Sequence, residues 1–285
     1  MAEEKIAVVT GSNKGIGFEI VKGLCKRFSG KVYLTARDTV KGADAVKKLK
    51  SLGYNPLFHQ VDIGSQESIN KFRDYLKNQH GGIDVLVNNA GIRLLGPDPA
   101  GVNATKTIAI NYFGTLAVCD SLFPLLRADA KVVNISSSAG HLYRIPSEKL
   151  RERFSDPTLT VQQLNELMNK FLDDFKENKL NENGWPNSAY TVSKVGVSAL
   201  SIIQQKILDN EVPNRNIKVN FIHPGWVKSD MNDKGNITIE EGAKPTLYVI
   251  LDNDELKGKY IWWDCQVVDW FSPNTPPRPY PVEYQ

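Results

Sequence analysis

The sequence predicts a doubly wound α/β fold, one parallel sheet with helices on both faces. Three observations carry that expectation: short apolar runs such as IAVV, VLV and KVVNI, helical periodicities that alternate with them, and a glycine-rich turn between the first run and the first helix. Parallel strands buried on both faces read as near-continuous apolar runs, and strands alternating with helices imply right-handed crossovers. Composition agrees with a globular chain. The 285 residues carry 35 Lys plus Arg against 32 Asp plus Glu, a net charge of +3, with 41% hydrophobic and 24% charged residues. These values exclude a disordered or collagen-like chain, and so small a charge argues against nucleic acid or an anionic membrane as partner. No apolar run approaches the ~18 residues of a membrane span. The charged start Met1-Ala2-Glu3-Glu4-Lys5 lacks the apolar core of a signal peptide. Cys25, Cys119 and Cys265 are odd in number, and His59, His80, His141 and His223 are scattered. Neither a disulfide framework nor a metal site fits, so a reducing, cytoplasmic setting is the expectation.

The elements follow in order. Lys5 to Thr10, KIAVVT, is a β-branched strand ended by Gly11, and Ile16, Ile20, Val21, Leu24 and Phe28 then fall at helical steps. Val32 to Thr35 is the second strand, and Ala43 to Leu52 is a helix stopped by Gly53. Leu57 to Val61 is the third strand, followed by a helix carrying Ile69, Phe72 and Leu76. Asp84 to Val87 is the fourth strand, and Asn103 to Leu126 is helical with Pro124 near its end. Lys131 to Ile135, Ile217 to Ile222 and Lys259 to Trp262 complete the strands, with a long helix over Ser188 to Leu208. One domain over residues 1–285 is expected. Residues 141–186 break the rhythm, and within them Leu164, Leu167, Met168, Phe171, Leu172 and Phe175 make one apolar helical face, with a capping-box signature at Thr160 and Gln163. A segment this long either serves function or packs its helix on its own domain. Beyond it, Trp262, Trp263, Trp270 and Phe271 either line a ligand mouth or pack against the sheet. Five of residues 273–285 are proline, which predicts an extended tail.

Thr10-Gly11-Ser12-Asn13-Lys14-Gly15-Ile16-Gly17 stands where the first strand meets the first helix. Glycines there permit a tight turn and let backbone N–H groups at the helix start meet a pyrophosphate. The spacing is G-x-x-x-G-x-G rather than G-x-G-x-x-G, and such glycines also serve local geometry alone; the strand-before, helix-after context favours a dinucleotide. Thr35-Ala36-Arg37-Asp38 ends the second strand. An acid there suits the adenosine ribose of NAD, and an arginine suits the 2′-phosphate of NADP. Arg37, with Lys14 and Lys41 converging on it, makes NADP the expectation; Asp38 is the competing ribose acid. Asp62-Ile63 stands where an aspartate meets adenine, and Asn88-Asn89-Ala90-Gly91 suits close backbone approach. Ser136-Ser137-Ser138 follows the fifth strand. Tyr190 and Lys194, four apart, share a helix face. A phenol has a pKa of ~10, and a neighbouring ammonium lowers it, which makes the proton easier to transfer.

This set, in this order over about residues 4 to 250 and with Pro224-Gly225 beyond it, resembles the short-chain dehydrogenase/reductase family. Met168-Asn169-Lys170-Phe171, Gly184-Trp185-Pro186 and Pro224-Gly225-Trp226-Val227 are similar to its NADPH-dependent carbonyl reductases, which carry a long insertion before the tyrosine. The resemblance implies a Rossmann-type fold, NADPH as cofactor, and reduction of hydrophobic aldehydes, ketones or quinones. It implies Tyr190 as general acid, Ser137 as hydrogen-bond donor to the carbonyl oxygen, Lys194 on the nicotinamide ribose, and Asn111 as anchor of a relay water. Gly11, Ser12, Asn13, Lys14, Gly15, Ile16, Gly17, Arg37, Lys41, Asp62, Ile63, Asn89, Ala90 and Gly91 would bind the cofactor, joined by Pro224, Gly225, Val227, Lys228 and Ser229. Trp226 and Met231 would line an apolar substrate pocket, and no metal is implied. Vertebrate carbonyl reductases carry cysteines before the Pro-Gly-Trp; Ile222-His223 stand here, so chemistry resting on such a cysteine does not carry over. The rival readings are an oxidation of secondary alcohols or steroids and a non-catalytic binding protein on the same fold. A monomer is expected, its inserted helix covering the surface through which many family members pair.

Overall fold

The structure, a computed structural model, describes residues 4–94 and 101–274. Among these, β1 (Lys5–Val9), β2 (Gly30–Ala36), β3 (Leu57–Gln60), β4 (Ile83–Asn88), β5 (Leu126–Ile135), β6 (Lys218–Ile222), β7 (Tyr260–Ile261) and β8 (Val267–Val268) form one sheet. Its order is β3-β2-β1-β4-β5-β6-β7-β8. Pairing is parallel from β3 through β7 and antiparallel between β7 and β8. This is the Rossmann-type, doubly wound arrangement expected. The chain steps outward from β1 to β3, then crosses back to β4 on the other side of β1. That reversal opens a crevice beyond the C-terminal ends of the two strands, where such sheets bind ligands.

Around the sheet lie α1 (Gly15–Arg27), α2 (Thr39–Ser51), α3 (Gln66–His80), α4 (Val102–Ile108), α5 (Thr115–Leu122), α6 (Glu148–Ser155), α7 (Val161–Lys176), α8 (Ala189–Asp209) and α9 (Ile239–Leu247). Successive strand side chains face opposite ways. In β1, Ala7 and Val9 therefore pack with Ile20 and Leu24 of α1, Leu49 of α2 and Ala243 of α9. Ile6 and Val8 pack with Phe72 and Leu76 of α3 and Val118 and Leu122 of α5. Burial on both faces explains why β1 has no polar alternation.

Several boundaries differ from the sequence expectation. Phe28 is the C-cap of α1 rather than a helical residue. α2 begins at Thr39, not Ala43, because the Asp38 carboxylate accepts the Lys41 N–H at 3.0 Å and caps the helix there. The long helix is broken: α4 passes into a π-helical turn at Ala109–Gly114, then α5, then a 3₁₀ turn at Phe123–Leu125 that contains Pro124. β5 begins at Leu126, well before Lys131. The continuous helical stretch Val102–Leu125 has a mean hydropathy of 1.4 in its most apolar window and, contrary to expectation, is long and apolar enough by composition to cross a membrane; 56% of that window is buried within the fold.

The insertion holds α6 and α7. The capping box forms: the Gln163 N–H donates to Thr160 Oγ1 at 3.2 Å and the Thr160 N–H to Gln163 Oε1 at 2.9 Å. Leu164, Leu167, Met168 and Phe171 are fully buried, in one cluster with Ile108 and Tyr112 and with Val195 and Ala199 of α8; Leu172 and Phe175 are partly buried against it. Gly196 is what lets α7 approach, since a Cβ there would stand 2.8 Å from Met168 Sδ. Asp174 accepts the Trp185 indole N–H at 2.8 Å and pairs with Lys170, tying Gly184-Trp185-Pro186 to α7. Trp262 and Trp270 are buried, the latter donating its indole N–H to the Gly140 carbonyl at 2.7 Å, while Phe271 stands 46% exposed. Packing, rather than a ligand mouth, is therefore what the buried pair does. The proline-rich tail from residue 275 lies outside the described residues.

Candidate active site

The glycine turn closes against the end of β4. Gly11 and Gly15 have φ of 59° and 60°, a region that favours glycine. A Cβ at Gly11 would stand 2.7 Å from Ala90 Cα, and one at Gly17 2.4 Å from Asn89 Nδ2. Asn89 Nδ2 donates to the carbonyls of Thr10 and Gly11 at 3.0 and 2.9 Å. In return Thr10 Oγ1 accepts the N–H groups of Asn89 and Ala90 at 3.0 and 3.1 Å. Thr10, outside the expected ligand-binding residues, is thus the brace between the two loops. Ser12 is also a brace: its Oγ donates to Val9 O at 2.8 Å and accepts the Thr35 N–H at 3.0 Å, and its own N–H donates to Thr35 O. At Gly15 a Cβ would meet nothing within 4 Å, and Lys14 makes no side-chain cap to α1. That open helix start, with backbone N–H groups pointing outward, suits a phosphate.

The expected cations converge only in part. Asn13, Lys14, Gly15 and Lys41 line one surface hollow of about 350 Å³ together with Lys48. Arg37 is exposed at the end of β2, outside that lining, and Lys14 pairs with Asp230 at 2.7 Å. Asp62 spends one carboxylate oxygen on the Gly64 N–H at 2.9 Å, and Ile63 packs under Gly114 of the π-turn.

A larger cavity of about 460 Å³ lies beyond β1, β4 and β5. Ile16, Pro224, Gly225, Val227 and Ser229 line it beside Tyr190, Ser137, Trp226 and Met231, so the structure gathers these expected residues into one place. Lys228 is outside the lining; its N–H donates to Ile237 O at 2.9 Å, pinning the loop after β6. Ser188 caps α8 through the Thr191 N–H at 3.1 Å, which sets Tyr190 on the first turn and Lys194 on the next. Lys194 is 6% exposed, its Nζ donates to Ile135 O at 2.7 Å, and it lies 5.8 Å from the Tyr190 ring centre. Burial pushes the Lys194 ammonium down to about 8. Of the serines, Ser136 is committed to Ser198 Oγ at 2.8 Å and Lys194 O at 3.1 Å, whereas Ser137 is half-buried, its Oγ accepting the Ala139 N–H at 3.2 Å.

Asn111 sits in the π-turn, a distortion common at functional sites. Its Oδ1 accepts the Ile92 N–H at 2.8 Å, and its Nδ2 donates to Ile92 O at 2.9 Å and to Ser193 Oγ at 3.0 Å. A Cβ on Gly91 would come within 3.2 Å of Asn111 Oδ1 and 3.7 Å of Lys194 Nζ, so the glycine keeps space open between the two.

Three basic side chains also line this cavity: Arg93 and Arg144, which no motif marks, and His223, which the sequence marks only as standing where relatives carry a cysteine. Arg93 lies 5.6 Å from the Tyr190 ring centre. His223 is buried, packs edge-on to Trp262, and accepts the Gly225 N–H at Nδ1 at 3.3 Å; burial first, then the charge of Arg144, pushes its pKa down to about 3. Position along the chain was the one available signal, since Arg93 closely follows Gly91 and His223 precedes Pro224.

The matches to known proteins agree with this geometry. A model of the family described as short chain dehydrogenase matches residues 5–147. Carbonyl reductase (NADPH) 3 of Rattus norvegicus is 47% identical over 251 residues, 87% of this chain and 91% of that one. Carbonyl reductase (NADPH) 1 of Bos taurus is 44% identical over 273 residues, 93% of this chain and 98% of that one. The solved structure of salutaridine reductase from Papaver somniferum aligns at 34% identity and a TM-score of 0.81, over 92% of this chain and 100% of the other. Fold, motifs and relatives converge: the chain belongs to the short-chain dehydrogenase/reductase family.

Proposed function

We propose that the chain is an NADPH-dependent reductase of hydrophobic carbonyl compounds, acting as a cytoplasmic, single-domain monomer with Tyr190 as general acid. The observation that carries this reading is Tyr190 on the wall of a 460 Å³ cavity, one helical turn from a buried Lys194 and across from Ser137. The relatives named for NADPH and carbonyl reduction, near half identical over most of both chains, favour the same cofactor and direction. NADPH, when bound, supplies the hydride. The open helix start at Gly15 and the cations Lys14 and Lys41 suit its phosphates, with Lys14 exchanging Asp230 for an anionic ligand. Arg37, exposed at the end of β2 and outside that hollow, supplies a further cation, whereas the Asp38 carboxylate is engaged in capping α2.

The chain's own groups do the proton chemistry. Ser137 donates to the substrate carbonyl oxygen and offsets its developing charge. Tyr190 gives that oxygen its phenolic proton, and the ammonium of Lys194 favours the phenolate left behind. Asn111 fixes Ile92 and Ser193 with its side chain, and its carbonyl, which already accepts the Thr115 hydroxyl at 2.8 Å, has one further lone pair for a relay water. A non-catalytic binding protein is disfavoured by the presence of all four residues. Reduction is favoured over alcohol oxidation by the cations at the cofactor end. A reducing compartment accords with three cysteines that are all free thiols. The test is NADPH oxidation against quinones, aromatic aldehydes, dicarbonyls and steroids, with NADH in parallel. Turnover of carbonyls with NADPH preferred is the expected result; faster alcohol oxidation with NAD, or no turnover of any panel member, contradicts the reading.

A further inference from the structure

The aromatic stretch after β6 does more than cover the sheet: it grips the turn that carries Ser137. That turn, Ser138–Gly140, is 3₁₀, and Ser137 is its N-cap, with Oγ accepting the Ala139 N–H at 3.2 Å. One side of the turn is pressed on α8, where a Cβ at Gly140 would stand 2.7 Å from Lys194 O. The other side meets β7 and the residues after β8 at three points. The Tyr260 hydroxyl donates to the Ser137 carbonyl, which also accepts the Gly140 N–H at 2.8 Å. The Trp270 indole N–H donates to the Gly140 carbonyl at 2.7 Å. His141 Nε2 donates to the Asp269 carbonyl at 3.1 Å; its Nδ1 accepts the Tyr143 N–H at 3.3 Å, so the ring proton belongs on Nε2. His141, Tyr260 and Trp270 are all buried, and the Tyr260 ring is itself fixed by stacking on Phe221 of β6, centroids 4.9 Å apart and planes 10° apart. A peptide plane whose carbonyl takes two buried hydrogen bonds cannot swing freely, so the hydroxyl of Ser137 keeps its aim. That aim matters, because a donor to a developing oxyanion acts only when held in place beforehand, and a misplacement of about 1 Å costs on the order of 10²-fold.

Resting on the reductase reading above, we infer that Tyr260 and Trp270 are positioning residues for the reaction, acting through Ser137 by holding its hydroxyl where the carbonyl oxygen gains charge. Neither is among the described residues that line the cavity, so their influence on the reacting atoms travels through the turn. The stretch that sequence alone leaves between a ligand mouth and packing thus serves the site from behind its wall.

The test is a double-mutant cycle on the single-turnover rate of NADPH oxidation, with a carbonyl that the wild type reduces. Tyr260→Phe keeps the ring and its stacking and removes one hydroxyl. It is expected to slow hydride transfer by about 10-fold, with NADPH affinity and substrate Kd within a few-fold of wild type. Ser137→Ala is expected to slow it by about 10²–10³-fold. Adding Tyr260→Phe to Ser137→Ala costs no more than about 2-fold further, because the hydroxyl it positions is gone. Trp270→Phe repeats the pattern. A purely packing role would slow both backgrounds by the same factor. An unchanged rate in Tyr260→Phe, or the same loss with and without the Ser137 hydroxyl, overturns the inference. Amide exchange gives a readout besides activity: Ala139, Gly140 and His141 are expected to exchange faster in Tyr260→Phe and Trp270→Phe, while α8 and the sheet stay protected. That measurement also separates this inference from the reductase reading. If the wild type reduces no carbonyl, the reductase reading fails; faster exchange confined to the turn still supports the grip, and unchanged exchange there overturns it. Exchange decides in the same way if Ser137→Ala leaves no measurable rate.

Discussion

An ammonium with 6% of its surface exposed and a single backbone carbonyl as hydrogen-bond partner has lost most of its hydration, which is why Lys194 is pushed down to about 8 from 10.5. The consequence for stability has a definite sign. Below about pH 8 the lysine is charged in both folded and unfolded chains, and the cost of burying the charge is fully present. Between about 8 and 10.5 the folded state sheds its proton first, so the stability of the cofactor-free protein rises with pH through that window. Activity runs the other way. In the proposed mechanism reduction leaves a phenolate at Tyr190, and a neutral Lys194 no longer favours it, so kcat/KM for reduction is expected to fall as pH rises through about 8. The apparent value belongs to the Tyr190–Lys194 pair. A pH–rate profile from 6 to 10 checks this, and a flat profile above 8 contradicts it. At this scale the sequence was legible where spacing alone fixes geometry: Tyr190 and Lys194 four apart on a helix, and glycines where a strand turns into a helix. It was not legible at Ser12, whose hydroxyl is spent inside the fold, or at Arg93 and Arg144, because no local spacing reveals which loop residue faces a cavity.

Among the elements, α7 has the most distinctive role. The apolar steps of Leu164, Leu167, Met168 and Phe171 and the capping box at Thr160 announced the helix, and all four side chains are fully buried against α4, the π-turn and α8. Each contributes roughly 1.5–3 kcal/mol of burial before entropy is subtracted. We expect that cover to stand in for a subunit contact, so light scattering gives the mass of one chain, 31.8 kDa. Charged substitutions at Leu167 or Phe171 destabilise the chain by several kcal/mol and expose α8, promoting self-association, as leaving a charge in an apolar contact costs at least about what a cavity does. A wild-type dimer, or a monodisperse and equally stable Phe171→Asp variant, contradicts that role. The π-turn and β8 were not legible. A π-turn differs from an α-turn by one residue in hydrogen-bond register, which apolar periodicity does not resolve, and the two residues of β8 are too few to show a period.

The whole molecule brings together groups that are far apart in sequence: Gly91, Asn111, Ser137, Tyr190 and Lys194 meet at the C-terminal end of one sheet because β4 and β5 are neighbours there and α8 packs against the π-turn and β5. Parallel strands buried on both faces made that sheet readable in advance, and the order of motifs made the family readable; which loops curl inward to shape the cavity depends on tertiary packing that no motif encodes. The central claim is that this assembly exists to move one proton from Tyr190 as a carbonyl is reduced. Tyr190→Phe keeps the ring and the packing and removes only that proton. Measured with a carbonyl that the wild type turns over, NADPH oxidation by Tyr190→Phe should show kcat lower by at least ~10²-fold while NADPH affinity, read from fluorescence, stays within a few-fold of wild type. Near-normal turnover in that variant would contradict the account.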